Sequence, residues 1–89
     1  MKINLTQEDI NLASKCRDNG EPSKTSCPIF QAAKRQKLNP VSVSDALHIK
    51  GGFKWFFTIR AESFMRKFDK RKEVKPIAFN FPESYVIKY

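Results

Sequence analysis

Two cysteines, one histidine and nine carboxylates are the residues with which this 89-residue chain could do covalent or acid–base chemistry. Cys27 stands before Pro28 at the expected start of a helix, where the positive helix end favours a thiolate, and His48 is its candidate base. No third group to orient the histidine and no oxyanion loop accompany them. A small buried residue that seats the helix is the plainer role for Cys27. Among the acids, Glu8 and Asp9 read as first-turn charge, Asp45 as a strand bend and Asp69 as an intrahelical partner for nearby Lys and Arg. A paired-carboxylate mechanism would need two of these to converge across the fold. Cys16 and Cys27 have neither metal-finger nor CxxC spacing, and no nucleotide loop is present. No catalytic residue, metal ligand, cofactor or small-molecule site is therefore assigned, and the chain is expected to bind rather than to catalyse.

Charge is the stronger signal. Lys and Arg number 17 against 9 Asp and Glu, a formal net of +8. Residues 60 to 75 hold half of that excess, with Arg60, Arg66, Lys67, Lys70, Arg71, Lys72 and Lys75 set against Glu62, Asp69 and Glu73. On a helix, Arg66 and Lys70 are one turn apart, as are Lys67 and Arg71, and both pairs project away from Phe64, Met65 and Phe68. Such a face can track a phosphate backbone by releasing counterions. The same pattern also describes the solvated side of any amphipathic helix. Like charges one turn apart repel slightly, which favours an anionic partner.

A second candidate surface is the run Phe53-Lys54-Trp55-Phe56-Phe57. Aromatics alternating with a cation on a strand resemble sheets that stack unpaired bases. Phe53, Trp55 and Phe57 share one face, so the core is their expected place. Phe56 points the other way beside Lys54, and these two are kept as candidate contacts. Ser23, Thr25 and Ser26 beside Lys24 could hold an anion at the second helix. Ordinary capping explains them as well, and Ser26 is the expected cap.

The elements that must position these residues follow from periodicity. Ile3 and Leu5 alternate with polar neighbours, predicting a first strand. Thr6 caps a helix running to about Arg17, and Asp18 to Ser23, with Gly20 and Pro22, end it. Pro28 falls in the first turn of a second helix that buries Ile29, Ala32 and Ala33 and stops at Asn39-Pro40. Val41 and Val43, then Leu47 and Ile49, alternate with polar residues before Gly51-Gly52, a strong hairpin signal. The returning strand carries Phe53, Trp55, Phe57 and Ile59 on one face. A third helix is expected from about Ala61 to Lys72, with Ala61, Phe64, Met65 and Phe68 inward. Ile77, Phe79 and Phe81 form a last strand, and the tail 82 to 89 docks on the body or pairs with a partner.

The expectation is a single α+β domain, 1–89, with a small antiparallel sheet of about three to four strands packed against two to three helices. Eight Phe, two Tyr and one Trp give it core material without disulfides or metal. The first five residues are too short and polar to begin a signal peptide, and no apolar run approaches the roughly 18 residues needed to cross a membrane. A reduced cytosolic location and no membrane partner are therefore expected.

Cys27-Pro28-Ile29-Phe30-Gln31-Ala32-Ala33-Lys34-Arg35, Val41-Ser42-Val43, Phe64-Met65-Arg66-Lys67-Phe68-Asp69 and Val74-Lys75-Pro76 with Phe79 form a pattern that resembles small uncharacterised proteins of phages and prophages. The resemblance spans about residues 25 to 81. Proteins of that kind carry Gly where Arg71 stands and an aromatic where Ile77 stands. It implies a compact α+β fold and a mobile-element context inside a host cell, without bringing an activity or site residues. Two readings follow: an accessory protein that meets nucleic acid through the basic helix face, or a small inhibitor or modulator that meets an acidic surface on a host protein, such as one that handles nucleic acid or serves defence, with the aromatic tail around Tyr85 to Tyr89 as a further anchor.

Overall fold

A computed structural model of the chain describes residues 2–22, 25–43, 46–81 and, in their backbone, 86–88. The first strand, β1 (Lys2–Leu5), buries Ile3 and Leu5 and exposes Lys2 and Asn4, as the alternation requires. Helix α1 (Gln7–Asp18) starts at Thr6 with a reciprocal cap. The Thr6 hydroxyl accepts from the Asp9 amide at 3.3 Å while the Asp9 carboxylate accepts from the Thr6 amide at 2.9 Å.

Helix α2 (Pro28–Arg35) is buried all the way from Pro28 to Ala33 and packs against α1 and β1. Its N-cap is Cys27 rather than Ser26, and no side chain caps it. The Ser26 hydroxyl is turned back to the Glu21 carbonyl at 3.3 Å, tying down the preceding loop. At its far end α2 seals the open edge of β1. The Gln36 amide accepts from the Asn4 backbone at 2.8 Å and donates to the Lys2 carbonyl at 3.1 Å, as a neighbouring strand would. Arg35 reaches the Asn4 carbonyl and the buried Asp9 carboxylate, the latter at 3.2 Å.

The segment from 40 to 56 holds three strands: β2 (Pro40–Val43), β3 (Ala46–Ile49) and β4 (Phe53–Phe56). Val41 does not share a buried face with Val43. The pairing slips between Pro40 and Ser42, and this bulge leaves Val41 exposed and Val43 half-buried. Asp45, read as a bend, lies outside the described residues. Gly51 and Gly52 turn β3 into β4 with φ of 100° and 85°, a conformation that L side chains resist. Register places Leu47 opposite Trp55 and Ile49 opposite Phe53 on one face, with His48 opposite Lys54 and Ala46 opposite Phe56 on the other.

Helix α3 (Ile59–Asp69) begins two residues earlier than its apolar stripe implies, because the Thr58 hydroxyl caps it by accepting from the Ala61 amide at 3.3 Å. Ile59 therefore leaves the strand face assigned to it and stands in the first helical turn, 84% exposed. The chain closes with β5 (Ile77–Asn80) and β6 (Val86–Lys88).

The fold is α+β, and its strands form two antiparallel sheets rather than one. β1 pairs with β5, and β2-β3-β4-β6 make a sheet of four. Of the tail, the backbone of 86–88 docks on the body as a strand beside β4. Aromatic contacts join the two sheets. Phe81, just past β5, lies 6.4 Å from Trp55 and 6.2 Å from Phe57, and Phe79 meets Phe64 edge-on at 5.5 Å. Rings at such separations add to the stabilisation that burial alone supplies.

Candidate functional site

The site is built on α3. Ala61, Phe64 and Phe68 are buried and Met65 is half-buried, which turns Ser63, Arg66, Lys67 and Lys70 to solvent. These four recur at i, i+3, i+4 and i+7, the spacing that puts residues on one helical stripe. Together with Lys72 they line an open depression of about 200 Å³. A larger one, of about 510 Å³, adjoins it through Ser63 and Lys67 and is completed by Arg60, Phe64 and the 73–77 segment, including Lys75. Among the described residues, Arg66, Lys67, Lys70, Lys72 and Lys75 make no ion pair.

Two of the expected cations have other duties. Helix α3 stops at Lys70, short of Arg71 and Lys72, so Lys67 and Arg71 are not a helical pair. The Arg71 amide donates to the Phe68 carbonyl at 3.0 Å and the Lys72 amide to the Lys67 carbonyl at 2.9 Å, closing the helix with Arg71 at φ 59°. The Arg71 side chain then swings to Asp18 on α1, Nη1 to Oδ1 at 2.9 Å. Arg60 is exposed but donates to the Ala78 carbonyl of β5 at 3.1 Å, bracing helix against strand.

Lys54 and Phe56 occupy the opposite face of β4 from Trp55, and neither lines either depression. The Lys54 ammonium sits 4.8 Å from the Phe56 ring centre, and both side chains are half-buried by their neighbours. Phe57 and Trp55 face the core, as their alternation implies, but Phe53, expected beside them, is 39% exposed at the start of β4.

Cys27 carries the opposite of nucleophilic activation. It is 3% exposed, and burial pushes its thiol from 9.0 up to about 11, outweighing the Phe30 and Ile29 amides that pull the other way. Its sulfur lies 3.8 Å from that of Met65. His48 is held in β3 between Ser42 and Lys54 in register. Among the described residues no three His, Cys, Asp or Glu converge on a possible metal position, and no helix is long and apolar enough to cross a membrane.

Sequence reasoning missed Ser63 and Arg17. Ser63 was legible, since it stands three, four and seven residues before Arg66, Lys67 and Lys70. Arg17 was not: it lies over the Phe68 ring at 4.3 Å and donates to the Phe68 carbonyl at 2.6 Å, a contact across 51 residues of sequence. Tyr85 and Tyr89, the aromatic ends of the tail, lie outside the described residues. Compared with known proteins, the chain matches no family model, no curated protein and no solved structure.

Proposed function

We propose that this chain is a non-catalytic accessory protein, of the phage type its sequence resembles, that binds nucleic acid inside the host cell through the exposed face of α3. The observation that supports this reading is the cluster of Arg66, Lys67, Lys70 and Lys72 around one depression, with no carboxylate lining it among the described residues. Cations held close together repel one another, and an anionic ligand relieves that repulsion. Lys75 and Arg60, in the lining of the adjoining cleft, extend the field, partly offset there by Glu73.

The test is fluorescence anisotropy with labelled DNA and RNA at two salt concentrations, using the wild type and Arg66→Glu, Lys67→Glu, Lys70→Glu combined. All three positions are exposed, so the variant is expected to keep its melting temperature within a few degrees. Arg71 is left out because its reversal would break the contact to Asp18 and disturb the end of α3. Binding that weakens steeply with salt and disappears in the triple variant is the expected result. Intact binding in a folded triple variant would remove α3 as the site. If the wild type binds no nucleic acid even at low salt, the same cations are left for the second partner class, an acidic face of a host protein. Recovery of one nuclease-resistant partner would then identify it.

A further inference from the structure

The exposed stripe of α3 is longer than its cations. Ile59, 84% exposed, stands four residues before Ser63 and so at the N-terminal end of the same stripe. Glu62 and Asp69 fall about 100° or more round the helix from Ser63 and flank the stripe rather than interrupt it. Among the described residues, this face has no aromatic platform. Trp55, Phe57, Phe64, Phe68, Phe79 and Phe81 are committed to the core, and Phe53, 39% exposed on β4, lines neither depression. Phe56 lies under Lys54, and no aromatic lines the cationic depression.

These features discriminate between forms of nucleic acid. Tight single-strand binders gain much of their affinity by stacking unpaired bases on aromatic rings. From Ser63 to Lys70 the helix rises about 10 Å, a length over which a duplex presents about six phosphate charges and one strand alone about three. Three cations on the helix and Lys72 beside it therefore exceed what a single strand offers, whereas a duplex can occupy them all. Lys72 is drawn off the helix line by the turn at Arg71, which widens the cationic face into two rows. An exposed isoleucine at one end of such a face matches the apolar side chains that proteins set into a duplex groove between phosphate contacts.

Resting on the reading of α3 as the nucleic-acid site, we infer that its ligand is double-stranded, gripped at its phosphates by Arg66, Lys67, Lys70 and Lys72 with the Ser63 hydroxyl among them, and touched in a groove by Ile59. Recognition of this kind positions the protein without reading sequence.

The experiment compares a duplex with each of its strands alone, using wild type, Ile59→Ser and Ser63→Glu. With about four phosphates neutralised on a duplex and about three on a single strand, raising salt from about 50 to about 200 mM should weaken duplex binding roughly 150-fold and single-strand binding roughly 20-fold. The duplex should bind more tightly at the lower salt. Ile59→Ser should cost about tenfold in affinity with an unchanged salt slope, since it removes apolar contact and no charge. Ser63→Glu should lower the slope by about one, because it cancels one cation. Both positions are exposed, and unchanged melting temperatures would show that the variants fold. Tighter binding of a single strand than of the duplex would overturn the inference while leaving α3 as the nucleic-acid site. Unchanged affinity in Ile59→Ser or Ser63→Glu would overturn the assigned contacts. Absence of all binding would overturn the functional reading and this inference together.

Discussion

At the scale of single residues, burial decides what a reactive group can do. A thiol in the first turn of a helix gains from nearby amides, yet Cys27 is shielded by α2 and Met65 so completely that desolvation dominates. The sign of the effect is testable. Because the folded thiol holds its proton up to about 11 against 9.0 when exposed, its contribution to stability is full below about pH 9 and is lost as pH rises through about 11. Up to about 2–3 kcal/mol is at stake. Denaturant melts between pH 8 and 11 should show a steeper loss in the wild type than in Cys27→Ala, and the native thiol should react with a thiol probe more slowly than free cysteine at neutral pH. Parallel pH profiles for the two proteins would contradict the burial argument. Asp9 shows a different consequence of burial: at 4% exposure its carboxyl oxygens are hydrogen-bonded by Thr6 and Arg35 in place of water.

At the scale of elements, all three helices end in the same way. In each, the residue after the C-cap turns left-handed and its amide, with that of the following residue, returns to carbonyls of the last turn. α1 uses Gly20 at φ 72°, but α2 uses Lys37 at 61° and α3 uses Arg71 at 59°. A side chain there costs about 1 kcal/mol relative to glycine. Lys37→Gly should therefore raise stability by about 1 kcal/mol in chemical denaturation, and Lys37→Ala should not. At Arg71 the gain from glycine would be partly offset by losing the exposed pair with Asp18, which is worth little in solvent. The end of α3 also explains part of the site's shape. The apolar stripe of Ala61, Phe64, Met65 and Phe68 predicts a helix to about Lys72, whereas the turn at Arg71 halts it and sends Arg71 and Lys72 to different places.

At the scale of the whole molecule, two sheets share one core. Phe81 meets Trp55 and Phe57 near the four-stranded sheet and Phe79 of the two-stranded one, at 6.2 to 6.4 Å. One contiguous core of this size is expected to unfold in a single step. Far- and near-ultraviolet dichroism should report coincident transitions, and Phe81→Ala should lower both together by about 3–5 kcal/mol. Separate transitions would mean that the sheets are independently stable. The cationic face of α3 has the opposite dependence, because its residues support no core and are free to be chosen for a ligand.

Local pattern determined much of this protein. Alternation at Ile3 and Leu5, the Thr6 cap, Pro28 at a helix start, the Gly51-Gly52 turn and the spacing of Ala61, Phe64 and Phe68 each rest on neighbours within a few residues, so the sequence alone was enough to place them and the basic face of α3. Tertiary structure decided the rest. Whether Ile77 to Phe81 would join the hairpin or pair with Ile3 and Leu5 depended on which backbone edges remained open once Gln36 had sealed one side of β1. The slip at Val41, the release of Ile59 to solvent and the diversion of Arg60 to Ala78 and Arg71 to Asp18 turned on partners far away in sequence. Hydrophobic periodicity states which side of an element is buried. It is silent about what that side meets, because apolar burial is non-directional and only the assembled core fixes which surfaces, and which cations, are left over.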